Sequence, residues 1–161
     1  MSRWNLAWLL GIAALVSTFV CQLFLSAAWP PSVFLFDLPL LVVLYYAVDS
    51  GPVPSLMLGT GVGFLQDSLT GSLLGVGSVA RGFVGWIVGA AGLRFILTRP
   101  SSQLLVFSAG TLAVRLLELA IHVAMGRQTV LPRLPDLLAG AVGNTLVGWT
   151  ASMLLRREKV S

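Results

Sequence analysis

The feature of this sequence that most restricts its fold is the scarcity of charge between long apolar runs. Asp and Glu together number only 6 in 161 residues, and charged residues make up 10% of the chain, against roughly 25% in an ordinary soluble domain. Apolar residues reach 57%, which leaves too little polar material to cover a water-exposed globule. The chain is therefore predicted to fold with its outer surface facing lipid. The ten Lys and Arg are scattered rather than gathered in one patch, which argues against a nucleic-acid partner.

The chain contains six apolar runs that are candidates for membrane-spanning helices. An α-helix needs roughly 20 residues to cross the hydrocarbon core. The predicted spans cover residues 4–28, 36–48, 53–66, 73–93, 103–125 and 137–155. Prolines, glycines and charged residues separate them. The second and third spans are short, and a re-entrant hairpin in their place is an alternative. The predicted fold is all-α, a polytopic integral membrane bundle of about six transmembrane helices forming a single domain over residues 1–161.

Six crossings put both termini on one side of the membrane, and loop charges indicate which side. Six basic residues fall on the side of the termini: Arg3, Arg94, Arg99, Arg156, Arg157 and Lys159. Only Arg127 and Arg133 fall on the other side. Because basic residues concentrate in cytoplasmic loops, both termini are predicted to be cytoplasmic.

Small residues recur along the fourth span at alternating spacings of four and three. They are Gly71, Gly75, Ser78, Gly82, Gly85, Gly89 and Gly92. On one helix these positions form a smooth stripe that lets a second helix approach closely. Gly59 with Gly63 in the third span, or Gly140 with Gly143 or Asn144 in the sixth, offers a matching face. The stripe is interpreted either as packing inside the bundle, which is favoured, or as a docking seam for a partner protein.

Several ionisable residues lie within the predicted spans, where an unpaired charge is costly. Arg81 falls within the fourth span, near the bilayer centre if that helix begins at Gly71, and Arg115 and Glu118 share a face of the fifth. Asp67 ends the third span on the outer side of the membrane. These four residues, two of each sign, are predicted to form a neutral polar cluster. Ion pairing that fixes helix register is the favoured interpretation, and a proton or substrate pathway is the alternative.

The sequence contains no recognisable catalytic or metal-binding pattern. Asp37 and Asp67 could form an aspartyl dyad, but Asp37 is equally explained as the N-cap of the second span and Asp67 as a polar break. His122 has no second histidine or nearby cysteine to complete a metal site, and Cys21 lies within an apolar run. We therefore predict a protein that is not an enzyme and has no cofactor.

Two segments resemble the rod shape-determining MreD family. The first runs from Phe36-Asp37-Leu38-Pro39 to Leu44-Tyr45-Tyr46-Ala47. The second, residues 59–75, is similar to the family block G-F-x-x-D-x-L-x-G-x-x-x-G. The positions that carry the resemblance are Asp37, Tyr45, Gly63, Phe64, Asp67, Leu69, Gly71 and Gly75. Phe36 stands where proline is usual in the family, and Asp49-Ser50 replaces the more common basic residues.

The resemblance implies a non-enzymatic scaffold of the bacterial cell-elongation machinery in the inner membrane. It implies binding to an MreC-like protein and association with the RodA glycosyltransferase, a class B penicillin-binding protein and, indirectly, MreB. It also implies a fold similar to the substrate-binding subunits of energy-coupling-factor transporters. The alternative function is therefore a small-molecule-binding subunit of a vitamin-type transporter.

Residue 49 distinguishes two full crossings from a re-entrant hairpin. In a Cys21→Ser background, Asp49→Cys is expected to react with a membrane-impermeant maleimide only after the cytoplasmic face is opened, because two full crossings place the turn there. Labelling of Asp49→Cys in intact cells, or protection on both sides, would contradict two full crossings.

Overall fold

The structure, a computed structural model, describes residues 3–28, 36–95, 97, 100–126 and 134–158. Within these residues it contains six α-helices and no strand, which confirms the predicted all-helical fold. The helices are α1 (Arg3–Ala28), α2 (Leu38–Ser50), α3 (Pro52–Thr70), α4 (Val76–Gly92), α5 (Pro100–Ala124) and α6 (Leu134–Glu158). The predicted break at residues 29–32 lies outside the described residues, as do Arg99, Arg127, Arg133 and Lys159.

The shortest helix, α2, lies at the centre of the bundle. It packs against all five other helices, and the side chains of Leu40, Val43, Leu44 and Ala47 are fully buried. A helix that is apolar on nearly every side is stable only when other helices surround it. The hydrophobic core is therefore built around α2, with Val84 and Val88 from α4 and Phe107 and Val114 from α5.

Successive helices run in opposite directions. Residues at the beginning of α2 lie beside the beginning of α4, because Asp37 contacts Arg81, while Gly92 at the end of α4 packs on Val48 near the end of α2. Helix α3 is antiparallel to α4, since Gly63 packs on Gly77 and Gly89 on Gly51. The beginnings of α2 and α4 and the ends of α1, α3 and α5 consequently share one end of the bundle.

The connection between α2 and α3 is shorter than the sequence predicts. The predicted turn begins at Asp49, but α2 continues through Ser50 and only Gly51 separates it from Pro52 at the start of α3. Gly51 has φ = 81°, a backbone conformation that favours glycine, and the Ser55 hydroxyl donates a 2.6 Å hydrogen bond to its carbonyl. One residue with this geometry is sufficient to reverse the chain direction.

The connection between α3 and α4 corrects two further predictions. Helix α3 continues past Gln66 to Thr70, so that Asp67 lies in its last turn and is buried rather than forming a break. Gly71 and Gly75 have φ values of 64° and 103°, respectively. A left-handed residue cannot continue an α-helix, so α4 begins at Val76 and the predicted stripe loses both glycines.

The remaining small residues of the stripe pack inside the bundle. A Cβ atom at Gly85 would lie 2.7 Å from the Ser55 carbonyl oxygen of α3, and one at Gly89 would lie 2.5 Å from the Gly51 carbonyl oxygen. On the facing helix, a Cβ atom at Gly59 would lie 2.5 Å from the Arg81 carbonyl oxygen. Helices α3 and α4 therefore approach through their backbones, as small-residue interfaces in membranes allow.

Helix length and apolar character differ among the six helices. One helical segment in the described part of the chain, the 24 residues Ser101–Ala124, is both long and apolar enough to cross a membrane. Leu15–Leu25, Leu38–Ser50 and Val76–Gly92 are shorter apolar helical stretches. The 13 residues of α2 extend about 20 Å at 1.5 Å per residue, which is less than the roughly 30 Å of a hydrocarbon core.

Two glycines two residues apart in α3 provide a matched test of the close packing. Gly59→Ala is expected to destabilise the protein by about 1 to 3 kcal/mol, because its Cβ would overlap the α4 backbone. Gly61→Ala is expected to be neutral or stabilising by up to about 1 kcal/mol, because nothing lies within 4 Å and alanine is the better helix former. Unfolding by sodium dodecyl sulfate in mixed micelles measures both, and equal stability of the two variants would contradict the packing.

Candidate functional site

A buried aspartate at the beginning of α2 is the centre of a polar site. Asp37 is 1% exposed, and its Oδ1 atom accepts a 3.1 Å hydrogen bond from the Leu40 backbone amide. It therefore caps α2, with Pro39 in the first turn, where a missing N–H group has no cost. The second carboxylate oxygen, Oδ2, remains directed at another helix.

That oxygen accepts a hydrogen bond from Arg81 of α4. Arg81 Nη2 lies 2.7 Å from Asp37 Oδ2, and Arg81 Nη1 lies 2.9 Å from Glu118 Oε1 of α5. Arg81 is 3% exposed, so its charge is balanced by these carboxylates rather than by solvent. One guanidinium group thus joins α2, α4 and α5.

Two amide side chains extend the site to the outer helices. The Asn144 carboxamide of α6 accepts a 2.8 Å hydrogen bond from the Asp37 backbone amide and donates to the Thr111 hydroxyl of α5. The Gln22 carboxamide of α1 donates to the Phe36 carbonyl and accepts from the Leu38 amide. We call Gln22, Asp37, Arg81, Thr111, Glu118 and Asn144 the Asp37 network. It connects five helices: α1, α2, α4, α5 and α6.

Asp67 lies next to this network but has different partners. Its Oδ2 atom accepts hydrogen bonds from the Gly75 and Gly77 amides at 2.9 and 3.0 Å, and the Ser72 hydroxyl donates to its Oδ1 atom. Gly75, the residue before α4, has no side chain to cap that helix. Asp67 therefore satisfies amides at the beginning of α4 from the end of α3.

The predicted cluster of Asp67, Arg81, Arg115 and Glu118 lies at one end of the bundle, but its ion pairs in the described part of the chain include Asp37 and do not include Asp67. Arg81 pairs with Asp37 and Glu118, whereas Asp67 forms no ion pair among the described residues. Arg115 Nη1 lies 3.9 Å from Glu118 Oε2. The physical reason is the later start of α4, which turns its first amides towards Asp67. Because Arg81 lies five residues after Val76, it is about 8 Å from the beginning of α4 instead of near its middle.

The residues that carry the family resemblance occupy positions of several kinds. Gly63 packs on the Gly77 backbone, and Gly71 and Gly75 supply the left-handed residues on either side of the α3–α4 connection. Phe64 and Leu69 project outward from α3 and are more than half exposed. Tyr45 is partly buried against the core. Four of the eight positions, Asp67, Gly63, Gly71 and Gly75, therefore form the α3–α4 hairpin itself.

The two aspartates of the site have separate hydrogen-bond partners. Asp37 and Asp67 each accept hydrogen bonds from separate partners, so they do not share a proton as an aspartyl dyad does. The His122 ring contacts the Glu118 carbonyl oxygen at 2.7 Å, and no group of three or more metal-binding side chains is found in the residues that the structure describes. Sequence reasoning did not single out Gln22 and named Asn144 only as part of a small-residue face, although each is a carboxamide within an apolar run.

Two open cavities lie away from the Asp37 network. One, of about 600 Å³, lies between the end of α4 and the beginning of α5, and the other, of about 480 Å³, lies between α3 and α4. Neither is lined by a member of the Asp37 network. Both have largely apolar walls.

Removing the charge of Asp37 tests the network. Asp37→Asn is expected to destabilise the protein by about 3 kcal/mol or more, because Arg81 stays buried without its principal counter-charge. Glu118→Gln is expected to cost less, because Glu118 is 19% exposed. The control Asp49→Asn removes the same charge from an exposed position near the other end of α2 and is expected to change stability by less than about 0.5 kcal/mol. Unfolding in mixed micelles gives the ranking, and equal stability of Asp37→Asn and Asp49→Asn would contradict it.

Comparison with known proteins identifies the family. Comparison with solved structures gave no match, so the predicted likeness to energy-coupling-factor transporter subunits has no support from it. Comparison with curated protein sequences also gave no match. The family model described as rod shape-determining protein MreD matches residues 2–156 of the 161-residue chain. Since this match covers nearly the whole chain, the protein belongs to the MreD family of membrane proteins that determine rod shape.

Proposed function

We propose that this chain is a non-enzymatic scaffold subunit of the bacterial cell-elongation complex. In this role it binds an MreC-like protein and supports peptidoglycan synthesis by a RodA glycosyltransferase and a class B penicillin-binding protein, with MreB connected indirectly. The observation that carries the proposal is the family match over residues 2–156, because the family functions in rod shape determination.

The proposed location is the inner membrane, with six crossings, both termini in the cytoplasm and one domain over residues 1–161. The six-to-two distribution of basic residues supports this orientation. The alternating directions of α2, α3 and α4 also support it. In this topology the Asp37 network lies towards the periplasmic face, and Arg94 lies at the cytoplasmic face.

The polar groups of the Asp37 network bond to one another, which supports a scaffold function more than a vitamin-binding function. Asp37 and Arg81 bond to each other, and Asn144 bonds to the Asp37 backbone amide and to Thr111. A ligand pocket instead needs convergent polar groups directed into open space. We propose that the network holds the helices in register and that small residues between α3 and α4 complete this packing.

We propose that the partner helix docks on the outer groove between α3 and α4. Six residues line this groove: Leu56, Thr60, Ser78, Val79, Phe83 and Trp86. Phe83 and Trp86 stack with ring centroids 6.2 Å apart. The Ser78 hydroxyl on the groove wall is buried and has no hydrogen-bond partner among the described residues. Hydroxyl groups and aromatic side chains beside small residues suit the packing of an incoming transmembrane helix.

Co-purification with the MreC-like protein tests this function. The tagged protein is expected to recover that partner from mild detergent, and Phe83→Ala combined with Trp86→Ala is expected to lower recovery about tenfold, since two aromatic anchors are lost. Phe24→Ala is the matched control, because Phe24 is exposed on α1 away from the groove.

The outcomes separate the two levels of the proposal. Recovery unchanged by the groove variants places the contact elsewhere and retains the scaffold role. Absence of the partner from the wild-type preparation, with a stoichiometric small molecule in its place, would overturn the scaffold function itself.

A further inference from the structure

The larger cavity, at the other end of the bundle from the Asp37 network, has an apolar interior and a basic end. Ile87, Val88 and Ala91 of α4 face Leu105, Val106 and Ala109 of α5 across it. Arg94 and Ser102 supply polar groups where the two helices are connected. The cavity measures about 600 Å³ and opens to the outer surface of the bundle. Its volume lies within the range of small-molecule sites, roughly 300 to 1,000 Å³.

Arg94 is placed to bind an anion at this end. It is exposed, it follows the last residue of α4 by two positions, and no ion pair involving it is found among the described residues. The α5 helix begins at Pro100, so the first amides of α5 lie near the same end of the cavity and add partial positive charge. Ser102 in that turn adds a hydroxyl group.

The apolar part of the cavity is short. Its lining on α4 runs from Ile87 to Ala91, or about 6 Å at 1.5 Å per residue. The acyl chain of a phospholipid needs only a short groove open to the bilayer. The phosphate group of the same lipid would lie at the membrane surface, within reach of a basic side chain.

We propose that the groove between α4 and α5 binds one anionic phospholipid, with an acyl chain against the apolar walls and its phosphate on Arg94 and Ser102. None of the described residues that line this groove also lines the groove between α3 and α4. Charge complementarity selects an anionic lipid over a zwitterionic one, because Arg94 is a cation without a carboxylate partner in the described part of the chain. The lipid would fill the space that separates the two helices at this end.

Native mass spectrometry of the purified full-length protein tests the site. Dioleoyl phosphatidylglycerol and dioleoyl phosphatidylcholine are titrated in parallel, so that the two probes differ only in their headgroups. One phosphatidylglycerol is expected to be retained preferentially. Arg94→Gln is expected to weaken its binding about tenfold, the loss of one charge-assisted hydrogen bond. Phosphatidylcholine binding is expected to fall less in that variant, because its choline group already neutralises the phosphate that Arg94 would contact.

Two further variants separate a built site from general attraction. Arg3→Gln removes one positive charge from α1 and is expected to leave phosphatidylglycerol binding within about twofold, because the walls of the groove belong to α4 and α5. Ala109→Phe fills the groove without changing charge and is expected to lower binding of both lipids, because Ala109 lines the cavity.

Several results would overturn the proposal. Equal weakening by Arg94→Gln and Arg3→Gln indicates attraction to net charge alone. Equal binding of the two lipids to the wild-type protein indicates that no headgroup is recognised. In a Cys21→Ser background, a photo-crosslinker on Ala109→Cys that captures a protein segment in membranes, instead of lipid, shows that a polypeptide fills the groove.

Discussion

The ion pair between Asp37 and Arg81 is the interaction on which the arrangement of the helices depends. Each residue is at most 3% exposed, and their charged atoms are 2.7 Å apart. A buried charge is tolerated only when its partner is held in position, so the pair fixes α4 against the beginning of α2. The Asp37 backbone amide, bonded to Asn144, extends the same constraint to α6. Sliding either helix by one turn would leave at least two buried polar groups without partners.

The central position of α2 explains how so short a helix can support the bundle. Its 13 residues are surrounded by the other helices, with four side chains fully buried. Longer helices, such as the 25 residues of α5, carry much of the outward-facing apolar surface. The polar residues of the site lie near the beginning of α2. Because α2 is short, residues of the longer helices meet beyond its first turn. Family membership shows a role in rod shape determination, and the polar groups of the site connect the helices of this chain to one another.

The sequence predicted the elements of this structure better than their contacts. Six helices were recognisable because apolar runs are local and are bounded by proline and glycine. The neighbourhood of Arg81, Arg115 and Glu118 followed from the cost of charge in lipid. The partner of Arg81 did not follow, because Asp37 already had a local explanation as a helix cap and only tertiary structure brings α2 beside α4. The first residues of α4 were misplaced for a related reason: Gly75 has a left-handed φ angle, and its amide bonds to Asp67 of the preceding helix.

The order of the charged residues along the chain has a consequence for membrane insertion. Asp37 precedes Arg81 by 44 residues, and Glu118 follows it by 37. When α4 leaves the ribosome, the carboxylate that accepts its arginine has already been synthesised, on α2. In the proposed six-crossing topology, the fourth helix enters the bilayer with its charge neutralised by an earlier helix, before α5 exists. Glu118 is synthesised after both residues of this pair. The fifth helix is therefore positioned by Arg81, which is already held by Asp37.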